Sequence, residues 1–358
     1  MTPSLWPVAN FRRVVDAVWA GRGKRARTAR GLLSPLELAY RVSIAARGWL
    51  YDSGLFRVET FSTPVISVGN LSVGGTGKTP VAAWIARRLA DNGVTPGVVL
   101  RGYGGDETIV HQRLNPDVTV IASADRARGI REAIAQGVDV VILDDAFQHR
   151  RAARNADVVL IDADAWTGSV RLIPAGPWRE PLRSVRRASL VIITRKIADR
   201  KGVEDARREV AAAAPRVPVV TAHLAPADLH STATGQTLPL HVLRGADLMA
   251  IAGVARPDSF FRQLTELGAV VRPHSFPDHH AFTSREARDL AAEAGSSDFA
   301  VCTLKDAVKL ESLWPPEAGS LWYVSQRLTI EDGLPEIDRM LDNLLAPRAE
   351  PTDQITTE

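Results

Sequence analysis

Residues 65–80 read VISVGNLSVGGTGKTP, and this stretch contains the most informative pattern in the chain. An apolar run ends in a glycine-rich turn, and the turn ends in Gly77-Lys78-Thr79. This order is typical of a phosphate-binding loop between a buried strand and a helix, because its backbone N–H groups surround nucleotide phosphates. We expect Lys78 to reach the β- and γ-phosphates and Thr79 to hold Mg²⁺.

The predicted phosphate-binding residues are Gly74, Gly75, Thr76, Gly77, Lys78 and Thr79. A structural glycine turn without a ligand is the alternative, since Ser72 stands where the strict pattern has glycine.

The composition is that of a globular protein. The 358 residues suggest about two domains, and 45% hydrophobic with 24% charged residues is enough for a sizeable core. The net charge of +3 does not point to a polyanionic partner. Cys302 is the single cysteine, so an intramolecular disulfide is excluded, which fits a reducing compartment. We expect no signal peptide, because the first thirty residues lack a continuous apolar core.

The N-terminal region combines positive charge with an amphipathic pattern. Residues 32–52 show apolar positions at near-helical spacing, interrupted by Glu37, Arg41 and Arg47. Such a helix lies in a membrane interface rather than spanning the bilayer; a helix packed on the next domain is the alternative. The preceding basic cluster suits nucleic acid or an anionic membrane, or is a solvated arm. Its members are Arg12, Arg13, Arg22, Lys24, Arg25, Arg27 and Arg30.

Strands and helices alternate from residue 64 onward. Continuous apolar strands, such as 138–144, predict a parallel sheet covered on both faces. We therefore predict a P-loop NTPase-like α/β/α sandwich with a second, smaller α/β domain. The predicted division is a basic arm and amphipathic helix at 1–59, a P-loop domain at 60–223, connector strands at 224–244, a smaller domain at 245–346 and a disordered tail at 347–358.

Two adjacent acids, Asp144 and Asp145, end one of the apolar strands. Ligands of parallel sheets bind at the carboxyl ends of strands, so both acids are candidate Mg²⁺ ligands; an acidic turn is the alternative. Gln148 and His149 follow at once and are candidates for the same cleft. A single histidine is more often structural.

Three loops carry further candidates. Asp106 follows Arg101-Gly102-Tyr103-Gly104-Gly105 and is placed to accept a proton from an attacking hydroxyl, unless it only caps a glycine-rich hairpin. A proline-rich loop at 172–181 holds Arg179, a candidate for phosphate or sugar contact, and Glu180, a candidate metal ligand. His279 in Asp278-His279-His280 is a candidate partner of Asp106; zinc is discounted for lack of a second ligand cluster.

Taken together, these motifs resemble the tetraacyldisaccharide 4′-kinase family of lipid A biosynthesis. The matching segments are 68–80, 101–105, 105–107, 144–149, 174–180, 276–280 and 303–309. Three positions depart from the family pattern: Ala146 replaces a usual glycine, Leu304 replaces a usual glutamate, and Gly105 serves two motifs at once. Because of that short spacing, Glu107 is the alternative to Asp106.

The resemblance implies transfer of the ATP γ-phosphate to the 4′-hydroxyl of a tetraacyldisaccharide 1-phosphate. It implies Asp106 as base with His279 assisting, and Lys78 as the third catalytic residue. ATP and Mg²⁺ are the expected cofactors, and an anionic glycolipid is the expected substrate. We also expect a monomer without nucleic-acid partners, held by its N-terminal helix on the cytoplasmic face of the bacterial inner membrane as a peripheral or monotopic protein.

Two other P-loop classes are disfavoured. Partitioning and assembly ATPases carry an extra lysine early in the loop, where this chain has Val73. GTPases use an Asn-Lys-x-Asp motif, which the segment 194–199 does not match.

Overall fold

The computed structural model describes residues 14–19, 21, 23–102 and 105–346. Within them, twelve strands form one mixed sheet, and the α/β class predicted from the sequence is confirmed. The strands are β1 Val65–Asn70, β2 Pro96–Leu100, β3 Thr119–Ala122, β4 Val140–Asp144, β5 Ala156–Asp162, β6 Leu190–Arg195, β7 Val219–Ser231, β8 Thr237–Pro239, β9 Asp247–Ala252, β10 Val270–Ser275, β11 Phe299–Thr303 and β12 Leu321–Asp332.

The strand order is β10-β9-β11-β12-β7-β6-β5-β1-β4-β2-β3, with β8 paired to β7. β1 lies between β4 and β5 and is parallel to both, with Val68 opposite Asp144 of β4. Every residue of β1 and of β4 is buried, as expected for central parallel strands covered on two faces. This register brings the carboxyl ends of β1 and β4 to the same edge of the sheet.

The helices cover the two faces of this sheet. They are α1 Lys24–Leu32, α2 Ser34–Asp52, α3 Lys78–Asp91, α4 Asp106–Leu114, α5 Arg126–Ala135, α6 Arg200–Ala213, α7 Pro257–Glu266, α8 Ser284–Ala294, α9 Leu304–Leu310 and α10 Leu334–Leu345. Three of them, α1, α4 and α9, were not predicted as helices. All three are short; α1 lies in the predicted basic arm, and the glycines that precede α4 indicate a loop rather than a helix start.

The segment 224–244, predicted as connector strands, begins with the end of a long strand. β7 continues to Ser231 and pairs antiparallel with β12 along most of its length, and β12 is comparably long and ends at Asp332. β8 and a short 3₁₀ helix, Leu240–Leu243, follow within the segment. The long pair therefore links the two halves of the sheet as a continuous hydrogen-bonded ribbon.

The last helix, α10, packs on the P-loop half of the sheet, although the sequence assigns it to the smaller domain at 245–346. Ile337 and Leu341 of α10 are buried in the same cluster as Ile66 of β1 and Leu190 of β6. A helix from the end of the chain thus completes the core beneath the P-loop half of the sheet. The predicted basic arm lies partly, and the predicted tail at 347–358 wholly, outside the described residues.

Candidate active site

The loop after β1 is held in a phosphate-binding shape by its own glycines and by neighbouring strands. Gly77 has a φ of 86° and caps the start of α3, and a side chain there would collide with Leu224. The Thr76 carbonyl accepts a hydrogen bond from the Thr194 hydroxyl at 2.9 Å. The Gly75 carbonyl accepts one from Lys196 Nζ at 3.2 Å. The positive end of the α3 dipole faces the same loop, so the site favours an anion.

The two acids at the end of β4 lie directly opposite this loop. Oδ2 of Asp144 accepts a hydrogen bond from the Thr79 hydroxyl at 3.1 Å. Lys78 Nζ lies 3.7 Å from Oδ1 of Asp145. Asp144 is buried, whereas Asp145 adopts a left-handed backbone conformation with a φ of 50° and is exposed to the cleft. The alternative of a simple acidic turn does not account for these cross-loop contacts.

Sequence reasoning missed one residue of this group, His111 on α4. Its Nε2 lies 2.9 Å from Oδ2 of Asp144, and the side chain is 1% exposed. Burial raises the pKa of Asp144, but the hydrogen bond and charge of His111, with Lys78 and Lys305, lower the pKa overall. A histidine in a helix that was not predicted carries no local signal, since its partner is 33 residues away.

Arg126, which begins α5, is a second residue that the sequence did not indicate. Its guanidinium donates to the backbone carbonyl of Asp144 at 2.9 Å and to that of Ser123 at 3.2 Å. Burial lowers the pKa of Arg126, and the charges of Asp144 and Asp145 raise it in part. The Arg126 side chain therefore holds the backbone at the end of β4 in place.

The predicted contact between Asp106 and His279 is present: His279 lines the cleft, and Asp106 is buried beside it, outside the cleft lining of the described residues. Asp106 is the first residue of α4, not part of a hairpin, and its Oδ2 lies 3.7 Å from Nδ1 of His279. Burial raises the pKa of Asp106, but the contact with His279 and the charge of Lys309 lower it overall. The same contact raises the pKa of His279 against the effect of burial. The alternative residue, Glu107, pairs instead with Lys305 at 3.3 Å.

Arg179 and Glu180, the two residues predicted on the proline-rich loop at 172–181, have different surroundings. Arg179 lines the cleft and lies 3.5 Å from Oδ1 of Asp145. Glu180 is buried away from the cleft lining and pairs with Arg187 at 2.9 Å. The geometry therefore does not support the predicted role of Glu180 as a metal ligand, because its carboxylate is paired with the Arg187 guanidinium.

Gln148 and His149 also lie outside the cleft lining among the described residues. The Gln148 side chain donates to the Asn70 carbonyl at 2.7 Å. Burial and the charge of Arg126 lower the pKa of His149. These contacts support the loop after β4 rather than direct binding, so both substrate roles lack support in this geometry.

A cavity of about 570 Å³ runs between the phosphate-binding loop and the second half of the sheet. Lys78, Asp144 and Arg179 line one side, and Arg256, His279 and Lys305 line the other. Its volume is that of a site for a ligand of nucleotide size. The cavity lies at the carboxyl edge of the parallel strands, where α/β proteins bind ligands.

A divalent cation fits this site. Among the described residues no cluster of three or more His, Cys, Asp or Glu side chains is arranged around a metal position. However, Oδ1 of Asp144 is buried with no hydrogen-bond partner in the described structure, next to the Thr79 hydroxyl. Mg²⁺ in nucleotide sites takes one or two protein ligands and completes its shell with phosphates and water, so two oxygens are enough.

A loop of this shape facing a strand that ends in acids is how P-loop proteins hold a nucleoside triphosphate, and the chain is a P-loop protein of the α/β class. The sequence model of the Tetraacyldisaccharide-1-P 4′-kinase family matches residues 29–346. The chain belongs to this family. It is therefore a kinase of lipid A biosynthesis.

The similarity to individual proteins of this family extends over most of the chain. A tetraacyldisaccharide 4′-kinase of Anaeromyxobacter sp. (strain Fw109-5) is 42% identical over 330 residues, covering 83% of this chain and 87% of the relative. One from Aromatoleum aromaticum is 34% identical over 354 residues, covering 93% and 97%. The crystal structure of the "apo" form of LpxK from Aquifex aeolicus in complex with ATP has a TM-score of 0.69 at 27% identity, covering 88% of this chain and 99% of that one.

Proposed function

We propose that this kinase transfers the γ-phosphate of ATP to the 4′-hydroxyl of a tetraacyldisaccharide 1-phosphate, with Asp106 as the general base. The observation that carries the assignment of the base is the contact of Asp106 with His279, which lines the cavity together with the phosphate-binding loop. The Asp106 carboxylate is ionised at neutral pH, because its pKa lies below the ordinary carboxyl value, and an ionised carboxylate can accept a proton. A new bond forms between the 4′-oxygen and the γ-phosphorus, the bridging bond to ADP breaks, and the hydroxyl proton passes to Asp106.

The remaining residues of the site position the substrates and neutralise the negative charge of the phosphates. Backbone N–H groups of the loop 74–79 and the Lys78 ammonium surround the phosphates, and little other chemistry is required of the protein in phosphoryl transfer. Thr79 and Asp144 would hold Mg²⁺, which offsets the negative charge of the β- and γ-phosphates. Arg179, beside Asp145, is placed to contact a phosphate of either substrate. His279 orients the Asp106 carboxylate.

The N-terminal helices support binding at a membrane surface. No helix of the described residues is long and apolar enough to cross a bilayer. Large apolar side chains are nevertheless exposed along α2 and after it, beside the basic residues of α1. They are Leu36, Leu38, Val42, Trp49, Leu55 and Phe56. A helix of this kind lies in the interface, which is where an anionic glycolipid is found. We place the protein on the cytoplasmic face of the inner membrane.

The cleft lies between two lobes of the chain, to which we assign different roles. The P-loop lobe at 60–223 would hold ATP, and the smaller lobe after 244 would close over it on the β7–β12 ribbon. Ion pairs join the lobes on both sides of the cavity, at Lys305–Glu107 and Arg256–Asp162. We propose that a single chain is sufficient, because both sides of the cleft come from the same chain.

The test is transfer of labelled γ-phosphate from ATP to purified tetraacyldisaccharide 1-phosphate in detergent micelles. We expect a phosphorylated lipid from the wild type and a loss of kcat on the order of 10²- to 10³-fold in Lys78→Ala, because that variant loses a cation aimed at developing charge. Asp106→Asn should lower kcat far more than it weakens nucleotide binding. ATP hydrolysis without a lipid product would refute the proposal.

A further inference from the structure

The carboxylate of Asp144 is held by two side chains through one oxygen. Its Oδ2 contacts the Thr79 hydroxyl at 3.1 Å and His111 Nε2 at 2.9 Å. Its Oδ1 is buried and has no hydrogen-bond partner in the described part of the chain. The backbone carbonyl of the same residue is tied to Arg126. The acid can therefore neither turn nor withdraw without breaking at least one of these contacts.

His111 itself has no other polar partner of its side chain among the described residues. Its Nδ1 is buried without a hydrogen bond. A buried ring nitrogen without a partner lowers stability, so a side chain chosen for packing alone would be apolar at this position on α4. The polar group that His111 does bond is the acid that faces the phosphate-binding loop. This points to a role in the site rather than in the core.

We propose that His111 is a positioning residue for the divalent cation. By donating from Nε2 to Oδ2 it would fix the rotation of the Asp144 carboxylate, so that Oδ1 faces the ion beside the Thr79 hydroxyl. Groups that hydrogen-bond a metal-binding carboxylate fix its orientation, and their loss typically lowers metal affinity or activity by about 10- to 100-fold. The inference rests on the proposed magnesium role of Asp144 and deepens it.

The test measures Mn²⁺ binding in the presence of a non-hydrolysable ATP analogue, with free Mn²⁺ followed by electron paramagnetic resonance. His111→Met and His111→Gln form a matched pair, because the two side chains are similar in length and only the second has an N–H donor. We expect the Mn²⁺ dissociation constant to rise by about 10- to 100-fold in His111→Met and to stay near wild type in His111→Gln. Gln112→Leu, on the exposed side of the same helix, is the control.

Metal-free binding of the analogue separates positioning from folding. It should be equal in the wild type and both His111 variants, because His111 acts only through the metal-binding acid. Equal Mn²⁺ affinity in His111→Met, or equal loss in both variants, would overturn the inference. So would a methionine variant that does not fold or also loses metal-free binding, since His111 would then be structural. A wild type that binds no Mn²⁺ would instead contradict the magnesium site itself.

Discussion

At the scale of single residues, the contact between Asp106, the proposed base, and His279 changes the pKa of both side chains. The folded-state pKa of Asp106 is lowered, so the pair stabilises the protein above the ordinary carboxyl pKa and this contribution is lost as pH falls through the lowered value. The pKa of His279 is raised, so its contribution is complete below its ordinary pKa and is lost as pH rises through the raised value. The ion pair is therefore complete between the ordinary carboxyl pKa and the ordinary imidazole pKa, which is the acidic range below about 6.5.

Removal of His279 should therefore move the acid limb of the activity profile. In His279→Ala the Asp106 carboxylate loses its contact with the imidazole while the charge of Lys309 remains, so we expect the acid limb of kcat/KM to shift to higher pH. The fall in kcat should be smaller than the roughly 10²- to 10⁴-fold expected for loss of the base itself. An unmoved acid limb would count against the pair. His274→Gln, on β10 and paired with Glu293, is the control.

At the scale of elements, α2 connects an exposed apolar surface to the loops of the active site. On its inner side, the buried Glu37 accepts from the backbone N–H of Leu172 at 2.9 Å. The Tyr40 hydroxyl donates to the Arg179 carbonyl at 3.0 Å, and Arg47 donates to the Gln148 carbonyl at 2.9 Å. The two predictions for this segment were a helix in a membrane interface and a helix packed on the next domain. Both have a structural basis, because α2 packs on the P-loop half while its other side stays exposed.

Substitutions on the exposed side should separate membrane binding from folding. Leu38 and Val42 are each 60% exposed, so Leu38→Ser with Val42→Ser removes apolar area without disturbing the inner contacts. Each side chain contributes about 1.5–3 kcal/mol when fully buried, so we expect binding to anionic vesicles to fall at least about tenfold while activity in micelles is kept. Val270→Ser, equally exposed on β10, should leave vesicle binding unchanged. Vesicle binding equal to wild type would argue against α2 as the anchor.

At the scale of the whole molecule, the two halves of the sheet meet through α4 and α9. Arg113, at the end of α4, makes a double hydrogen bond to Glu311 just after α9, at 3.1 and 2.8 Å. The same two helices hold Glu107 and Lys305 together. Since α4 begins with Asp106 and also contains His111, its position affects both the proposed base and Asp144, the acid proposed to hold the metal. We therefore expect this interface to position the proposed catalytic groups from a distance.

Reversal of one charge in this interface should lower activity, and reversal of both should restore it. Arg113→Glu places two acids together, and a partly exposed pair contributes only about 0.2–1 kcal/mol, so we expect kcat/KM to fall by roughly 1.4- to fivefold. The double variant Arg113→Glu/Glu311→Arg should recover most of the loss. Kinetics and thermal unfolding of the single and double variants form a double-mutant cycle. A coupling energy of zero would show that the pair does not contribute.

The sequence by itself determined the phosphate-binding loop, the buried parallel strands, the acids after β4 and the family. These features are local: a glycine turn between a strand and a helix, or a continuous apolar run, follows from neighbouring residues alone. The agreement with the observed positions of Lys78, Asp144 and Arg179 has this origin. His279 is a candidate partner of Asp106 from the sequence, but the family resemblance alone implies that it assists the base, because no local pattern joins two residues so distant in the chain.

Only the tertiary structure decided which side chains meet across the fold. His111 pairs with Asp144, Glu180 with Arg187 rather than a metal, and α10 returns to the P-loop core. The strand β7 continues into the predicted connector because β12, about a hundred residues later, supplies the hydrogen bonds that a short connector strand would lack. Such partners are chosen by burial and by the need to pair buried polar groups, and both depend on the complete arrangement of the chain.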